Sequence, residues 1–237
     1  SLIGIQNQGA TCYLNSLIQT LFLTPEFREQ LFDIGCEELG KSGPNKKDGK
    51  VRKIPLQLQL LFARLLLINQ SSCKTEDLTD SFGWRNSEEM QQHDVQELSR
   101  ILFDAIENSL VGTSGDKLIH NLYKGVIVNQ IQCCICQRVS ERDEEFLDLT
   151  VSVSGGKNLQ SSLSSVFQAE EMMSGKNQYF CEKCKKLVNA KKGAKLKTLP
   201  PILTLSLLRF NYDLRTFNRY KETGHFPFPI KLNVEKY

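Results

Sequence analysis

The stretch NQGATCYLNSLIQTLF, residues 7–22, puts a cysteine where a glycine-bearing turn gives way to an apolar helix. Thr11 is placed to act as the N-cap, which leaves Cys12 in the first helical turn. The positive end of a helix dipole, with amides that have no intrahelical acceptor, favours the anionic form of a thiol. A thiolate is a nucleophile, and the same amides can receive an oxyanion. Asn7, five positions earlier, can add a side-chain donor to that hole. Gly9 lets the chain turn sharply and lets a substrate approach. The competing reading is a small buried hydrophobe, the usual fate of an unpaired cysteine.

The chain holds eight cysteines, and four of them fall into two Cys-x-x-Cys pairs, Cys133/Cys136 and Cys181/Cys184. Four thiolates complete a tetrahedral zinc site with no position open to substrate. A strand and a helix lie between the pairs, so each pair needs its own knuckle. Cys134 offers a second register, Cys-x-Cys, and the Cys133 register is preferred. Four free thiols are the alternative to structural zinc. Cys36 and Cys73 are read as loop or packing cysteines.

A cysteine nucleophile needs a base, usually histidine, oriented by a third group. Three histidines are present, His93, His120 and His225. His93 sits in an acidic motif and no spacing makes it a base. His120 is expected in a loop before a strand. His225 lies in KETGHFPFP near the C-terminus.

The helix that must position Cys12 carries Leu14, Leu17, Ile18, Leu21 and Phe22 at helical spacing and ends at Thr24-Pro25. Pro55 is expected to open a second helix, with Leu56, Leu60, Ala63 and Leu67 on one face. A third follows Asp94, with Val95, Leu98, Leu102 and Ala105 facing inward; Asp94 and Glu97 have capping-box spacing. From about residue 123 the period becomes two. GVIVNQIQC reads as a strand, Leu147, Leu149, Val151 and Val153 alternate in the next, and KNLQSSLSSVFQ is a short amphipathic helix. PPILTLSLLRF is apolar on both faces and is expected to be a central strand. The lysines from Lys176 to Lys197 read as a solvated face.

At 237 residues, 40% hydrophobic and 24% charged, the composition is that of a globular chain able to bury a core without disulfides. A net charge of +3 gives no argument for nucleic acid. No apolar run reaches the ~18 residues of a membrane span. No secretory signal is evident, and Cys-x-x-Cys pairs in such a chain favour a reducing compartment, cytosol or nucleus.

GIQNQGATCYLNSLIQTLF strongly resembles the cysteine box of the ubiquitin-specific proteases. The resemblance implies that Cys12 is the nucleophile and that Asn7 helps hold the oxyanion. QQHDVQELSRILFDAIE is similar to the family's second motif, at the cleft entrance, which implies that Asp94 and its neighbour Gln96 bind substrate and that Asp94 contacts an arginine of the ubiquitin tail. A carboxylate beside an extended peptide suits that role, and capping its own helix is the alternative. LPPILTLSLLRFNYD resembles the palm strand, whose aromatic residues line the tail channel; Phe210 and Tyr212 match, with core packing as the alternative. The cysteine pairs resemble the family's fingertip zinc site, implying one structural zinc on Cys133, Cys136, Cys181 and Cys184.

The implied fold is α+β and papain-like, one domain over 1–237. It comprises a helical thumb (1 to about 112), mainly fingers with zinc knuckles (113–200) and a partial palm (201–237). The implied activity is hydrolysis of the peptide or isopeptide bond after ubiquitin's C-terminal glycine, by a monomer with ubiquitinated proteins as partners. The family's later Gly-His-Tyr-like motif, which carries its histidine, does not occur, so the chain is expected to stop before its catalytic histidine. The alternatives are a non-catalytic ubiquitin-binding module or pseudoenzyme, and a zinc-dependent interaction protein. Gly83 is a candidate hinge for a loop that carries Trp84 towards the cleft, against Trp84 as a core residue.

Overall fold

The computed structural model describes residues 3–9, 11–39, 53–83 and 94–237. Trp84 and His93, and with them the proposed gating loop, lie outside these residues. The chain divides into two compact units, Ser1–Leu122 and Tyr123–Tyr237.

The first unit is helical apart from one short strand pair. Strand β1 (Gly4–Ile5) leads to α1 (Cys12–Phe22), α2 (Pro25–Phe32), α3 (Cys36–Leu39) and α4 (Lys53–Leu67). Strand β2 (Ser72–Cys73), α5 (Glu76–Ser81), α6 (Val95–Leu110) and α7 (Leu118–Tyr123) follow. The sequence-based limit at about 112 falls in the turn between α6 and α7. α1 forms where the spacing predicts, burying Leu14, Ile18, Leu21 and Phe22, and Pro25 opens α2 at its first position. Proline suits that position because the amide it lacks would have no helical partner.

Two inward faces differ from expectation. In α4 the buried stripe is Leu58, Leu61, Phe62 and Leu65, whereas Leu60 is exposed and Leu67 is 82% exposed. The helix starts at Lys53, and Pro55 stands in its first turn. Its sequence is apolar nearly all round, so several helical stripes fit it equally well, and packing against the neighbours selects one. In α6, Leu98 and Leu102 are buried as expected, but Val95 is 48% exposed and the stripe continues through Phe103, Ile106 and Leu110. His120, expected in a loop, lies in α7 and is exposed.

Phe62 anchors this core. Its ring meets Phe22 and Phe27 edge-on, with centroids 5.4 and 6.3 Å away. It is fully buried, so truncation removes transfer energy and leaves a cavity. Phe62→Ala is expected to destabilise this unit by about 3–5 kcal/mol, read by denaturant unfolding.

The second unit is built on an antiparallel sheet in the order β4-β3-β9-β6. Its strands are β3 (Gly125–Cys133), β4 (Val139–Phe146), β6 (Glu171–Met173) and β9 (Ala190–Thr198), with β5 (Leu149–Ser152) and α8 (Leu159–Phe167) between β4 and β6. β3 is the stretch GVIVNQIQC, as expected. Gly125 lies opposite Phe146, whose ring would stand 2.3 Å from any Cβ placed there. α8 begins at a capping box in which Asn158 and Ser161 satisfy each other's amides. Leu159, Leu163 and Phe167 of α8 pack with Leu149, Val151, Val153, Phe226 and Tyr237 into the core of this unit.

Strands β7 (Tyr179–Cys181) and β8 (Lys186–Val188) form a hairpin, and β11 (Phe210–Asp213) pairs with β12 (Asn218–Lys221) in another. β10 (Leu205–Leu208), expected to be central, pairs in parallel with β5 alone among the described residues. Its apolar character is used differently: Leu205 and Leu207 pack on the core, while Leu208 is exposed.

Candidate functional site

Cys12 is the first residue of α1 and is exposed. The segment before it is held from two sides. The Gly4 amide donates to Ser71 O at 3.1 Å and the Gln6 amide to Cys73 O at 2.9 Å, joining β1 to β2. From α1, Asn15 Nδ2 donates to Gln6 O at 3.1 Å and Gln19 Nε2 to Ile3 O at 3.1 Å. Gly9 then turns the chain with φ +114°, a conformation that other residues adopt only under strain.

Thr11 occupies the N-cap position, but its hydroxyl does not cap the helix. Instead Thr11 Oγ1 accepts from the Gln8 amide at 3.0 Å and donates to Asn7 Oδ1 at 3.0 Å, while the Thr11 amide donates to the same Oδ1 at 3.2 Å. The hydroxyl is turned back into the loop, where Gln8 and Asn7 occupy its acceptor and donor capacity. So the side chain expected to satisfy the helix end leaves it open, and the first-turn amides have no intrahelical acceptor. Asn7 is exposed and its carbonyl oxygen is occupied, so its Nδ2 is the group left to donate outward. Burial pushes the neighbouring Tyr13 phenol pKa up, and negative charge at Cys12 adds to the rise.

Asp94 caps α6: its Oδ1 accepts from the Gln96 amide at 2.7 Å. The capping bond therefore falls on Gln96 rather than Glu97. Asp94 is exposed and Gln96 half-buried. In the second unit, Phe210 and Tyr212 project from the same side of β11, 56% and 50% exposed, so core packing does not account for them. Lys221 Nζ lies 5.5 Å from the Phe210 ring centre, and Phe217 meets Tyr212 edge-on. His225 is exposed and lines a cavity of about 640 Å³ with Arg209 and Lys221.

The second unit also brings four thiols together. The sulfurs of Cys133, Cys136, Cys181 and Cys184 all lie within 4.8 Å of one another, and Cys134 is exposed outside the group. Cys133 and Cys184 are 3.9 Å apart and Cys136 and Cys181 3.6 Å, far beyond the ~2.05 Å of a disulfide. A tetrahedral ion with sulfur ligands at ~2.3 Å separates them by about 3.8 Å, so the set fits a metal of that kind. The two turns are alike. Gln137 and Lys185, each following its pair's second cysteine, have φ of 58° and 54°, and their amides bond back to Cys133 O and Cys181 O. The amide of Cys136 holds the Cys133 thiol pKa down, that of Cys184 does the same for Cys181, and burial pushes Cys184 up. These four cysteines can hold a metal ion.

A family model described as ubiquitin carboxyl-terminal hydrolase matches residues 3–237. The chain belongs to that family. It is 58% identical over 238 residues to ubiquitin carboxyl-terminal hydrolase 40 of Mus musculus and, equally, to that of Homo sapiens, covering 100% of this chain and 19% of each relative. With ubiquitin carboxyl-terminal hydrolase 47 of Drosophila melanogaster it is 40% identical over 240 residues, 99% of this chain and 15% of that one. The chain thus spans about a fifth of the length of these two relatives. Among the described residues, no helix is long and apolar enough to cross a membrane.

Sequence reasoning missed the groups that hold the Cys12 segment in place. Asn15 and Gln19 stand one helical turn apart on α1, half-buried between its apolar face and the exposed Ser16 and Thr20, a placement that suits a polar tether. The inward turn of the Thr11 hydroxyl has no such signal, since its type and position also suit an ordinary cap.

Proposed function

We propose that this chain is the catalytic domain of a thiol-dependent deubiquitinase that cleaves the peptide or isopeptide bond after ubiquitin's C-terminal glycine. The observation that carries the reading is Cys12, exposed at an uncapped helix start and preceded by an asparagine whose amide faces outward. Family membership supplies the substrate class.

In this mechanism Cys12 Sγ bonds to the scissile carbonyl carbon, and its proton passes to a general base that is not assigned among the residues described. The carbonyl oxygen becomes an oxyanion, received by the first-turn amides and Asn7 Nδ2. Collapse breaks the bond to the leaving amine, which takes a proton, and leaves a thioester. Water then attacks the thioester, releasing the ubiquitin carboxylate and restoring the thiol. Residues 1 to about 112 act as thumb, 113–200 mainly as fingers and 201–237 as palm, within one domain. Asp94, Gln96, Phe210 and Tyr212 receive the substrate tail. Structural zinc on Cys133, Cys136, Cys181 and Cys184 would tie the two knuckles together, without entering the chemistry. The protein works as a monomer in cytosol or nucleus.

Ubiquitin bearing a C-terminal alkyne reacts only with a correctly placed thiolate. The full-length protein is expected to gain the mass of one such ubiquitin, and its Cys12→Ala variant none. An adduct that survives Cys12→Ala would transfer the nucleophile to another residue. No adduct in the wild type, with ubiquitin binding still seen by calorimetry, would leave a non-catalytic binding module.

A further inference from the structure

We propose that Thr11 is a positioning residue that selects the orientation of the Asn7 amide, so that its NH2 rather than its oxygen faces the developing oxyanion. The proposal rests on the reading of Cys12 and Asn7 given above.

The two ends of an asparagine amide are nearly equal in size and opposite in hydrogen-bonding sense. In one orientation Asn7 would donate to an oxyanion, and in the other it would place a carbonyl dipole against it. Asn7 is exposed, and among the described residues its side chain bonds only with Thr11. Thr11 supplies two constraints. Its backbone N–H can only donate, so the Asn7 atom 3.2 Å away must be the oxygen. Its hydroxyl oxygen already accepts from the Gln8 amide at 3.0 Å, which directs its single proton to Asn7 Oδ1, also at 3.0 Å. Thr11 is 0% exposed, so no solvent reaches the hydroxyl to take its place. The left-handed turn at Gly9 brings positions 7 and 11 within reach. Thr11 touches no reacting atom and acts through Asn7.

The test is a double-mutant cycle in the full-length protein, with ubiquitin carrying a C-terminal fluorogenic amide as substrate. Thr11→Val keeps the side-chain shape and removes the hydroxyl; kcat is expected to fall about tenfold with KM within about twofold. Thr11→Ser keeps the hydroxyl and is expected to hold kcat within about twofold. In an Asn7→Ala background there is no amide to orient, so adding Thr11→Val is expected to cost less than about twofold. Alkylation of Cys12 by iodoacetamide forms no oxyanion and is expected to change less than about twofold in every variant.

A tenfold loss that persists in the Asn7→Ala background, or a parallel loss of alkylation, means general damage to the loop and overturns the proposal. An unchanged Thr11→Val enzyme beside a slowed Asn7→Ala enzyme overturns the role of Thr11 alone. An Asn7→Ala enzyme with unaltered kcat overturns the oxyanion reading of Asn7, and the proposal with it.

Discussion

Turnover of ubiquitin conjugates by the full-length protein is expected to fall by on the order of 10⁴-fold or more when Cys12 is replaced by alanine. The remaining cysteines differ in setting: four are clustered in the second unit, Cys73 is buried, Cys36 is exposed at the start of the four-residue α3, and Cys134 is exposed in the turn after β3. Replacing Asn7 by alanine should leave the nucleophile and lower kcat by about 10²–10³-fold, with KM little altered, because its amide meets a charge that exists only during the reaction. Steady-state kinetics separates the two, and calorimetry with ubiquitin should show binding retained in both. A drop in affinity that matches the drop in turnover would show that the substitutions disturb docking rather than chemistry.

If the four cysteines hold a metal, its loss should have the largest effect on stability. The core around the knuckles has three buried residues, Cys133, Cys181 and Val188, with Cys136, Tyr179 and Cys184 packed against them. Sulfur makes up most of it, and so little apolar surface cannot order two turns by burial alone. The turns also hold Gln137 and Lys185 in a left-handed conformation that costs each residue about 1–2 kcal/mol. Metal binding in comparable structural sites contributes about 10–16 kcal/mol, enough to outweigh both deficits. The purified protein is expected to carry one zinc per chain, and the Cys181→Ser/Cys184→Ser variant none. Amide exchange in that variant should rise across residues 133–137 and 179–188. Protection there without stoichiometric metal would show that packing suffices.

The sequence was most readable where one residue type has one physical use. The β-branched run and period-two tail of GVIVNQIQC favour a strand, and β3 begins and ends with it. The cysteine pairs carry a ligand chemistry that spacing alone reveals, and Cys133, not Cys134, faces the other three sulfurs. Helix faces were less readable: α4 has leucine on nearly every side, so only tertiary packing chooses its inner stripe. β4 was invisible to pattern reasoning. Its side chains are exposed on both faces, and it is a strand because its backbone pairs with β3 along its length. Charged Glu141, Asp143, Glu144 and Glu145 suit it to the sheet edge it occupies. At the candidate site, residue types located Cys12 and Asn7, but the geometry that aims Asn7 depends on one hydroxyl turning inward.

The knuckle cysteines also set an order of events during synthesis. Cys136 and Cys181 lie 45 positions apart, with β4, β5 and α8 between them. A ribosome adding about 5–20 residues per second delivers the second knuckle a few seconds after the first. During that interval two thiols would wait with half a coordination sphere while β5 and α8 emerge. The core these two build also needs β10, Phe226 and Tyr237, all of which follow Cys184, so the four cysteines are present before it can be completed. If these cysteines take up a metal, closing a loop of 45 positions precedes that core and lowers the entropy cost of forming it.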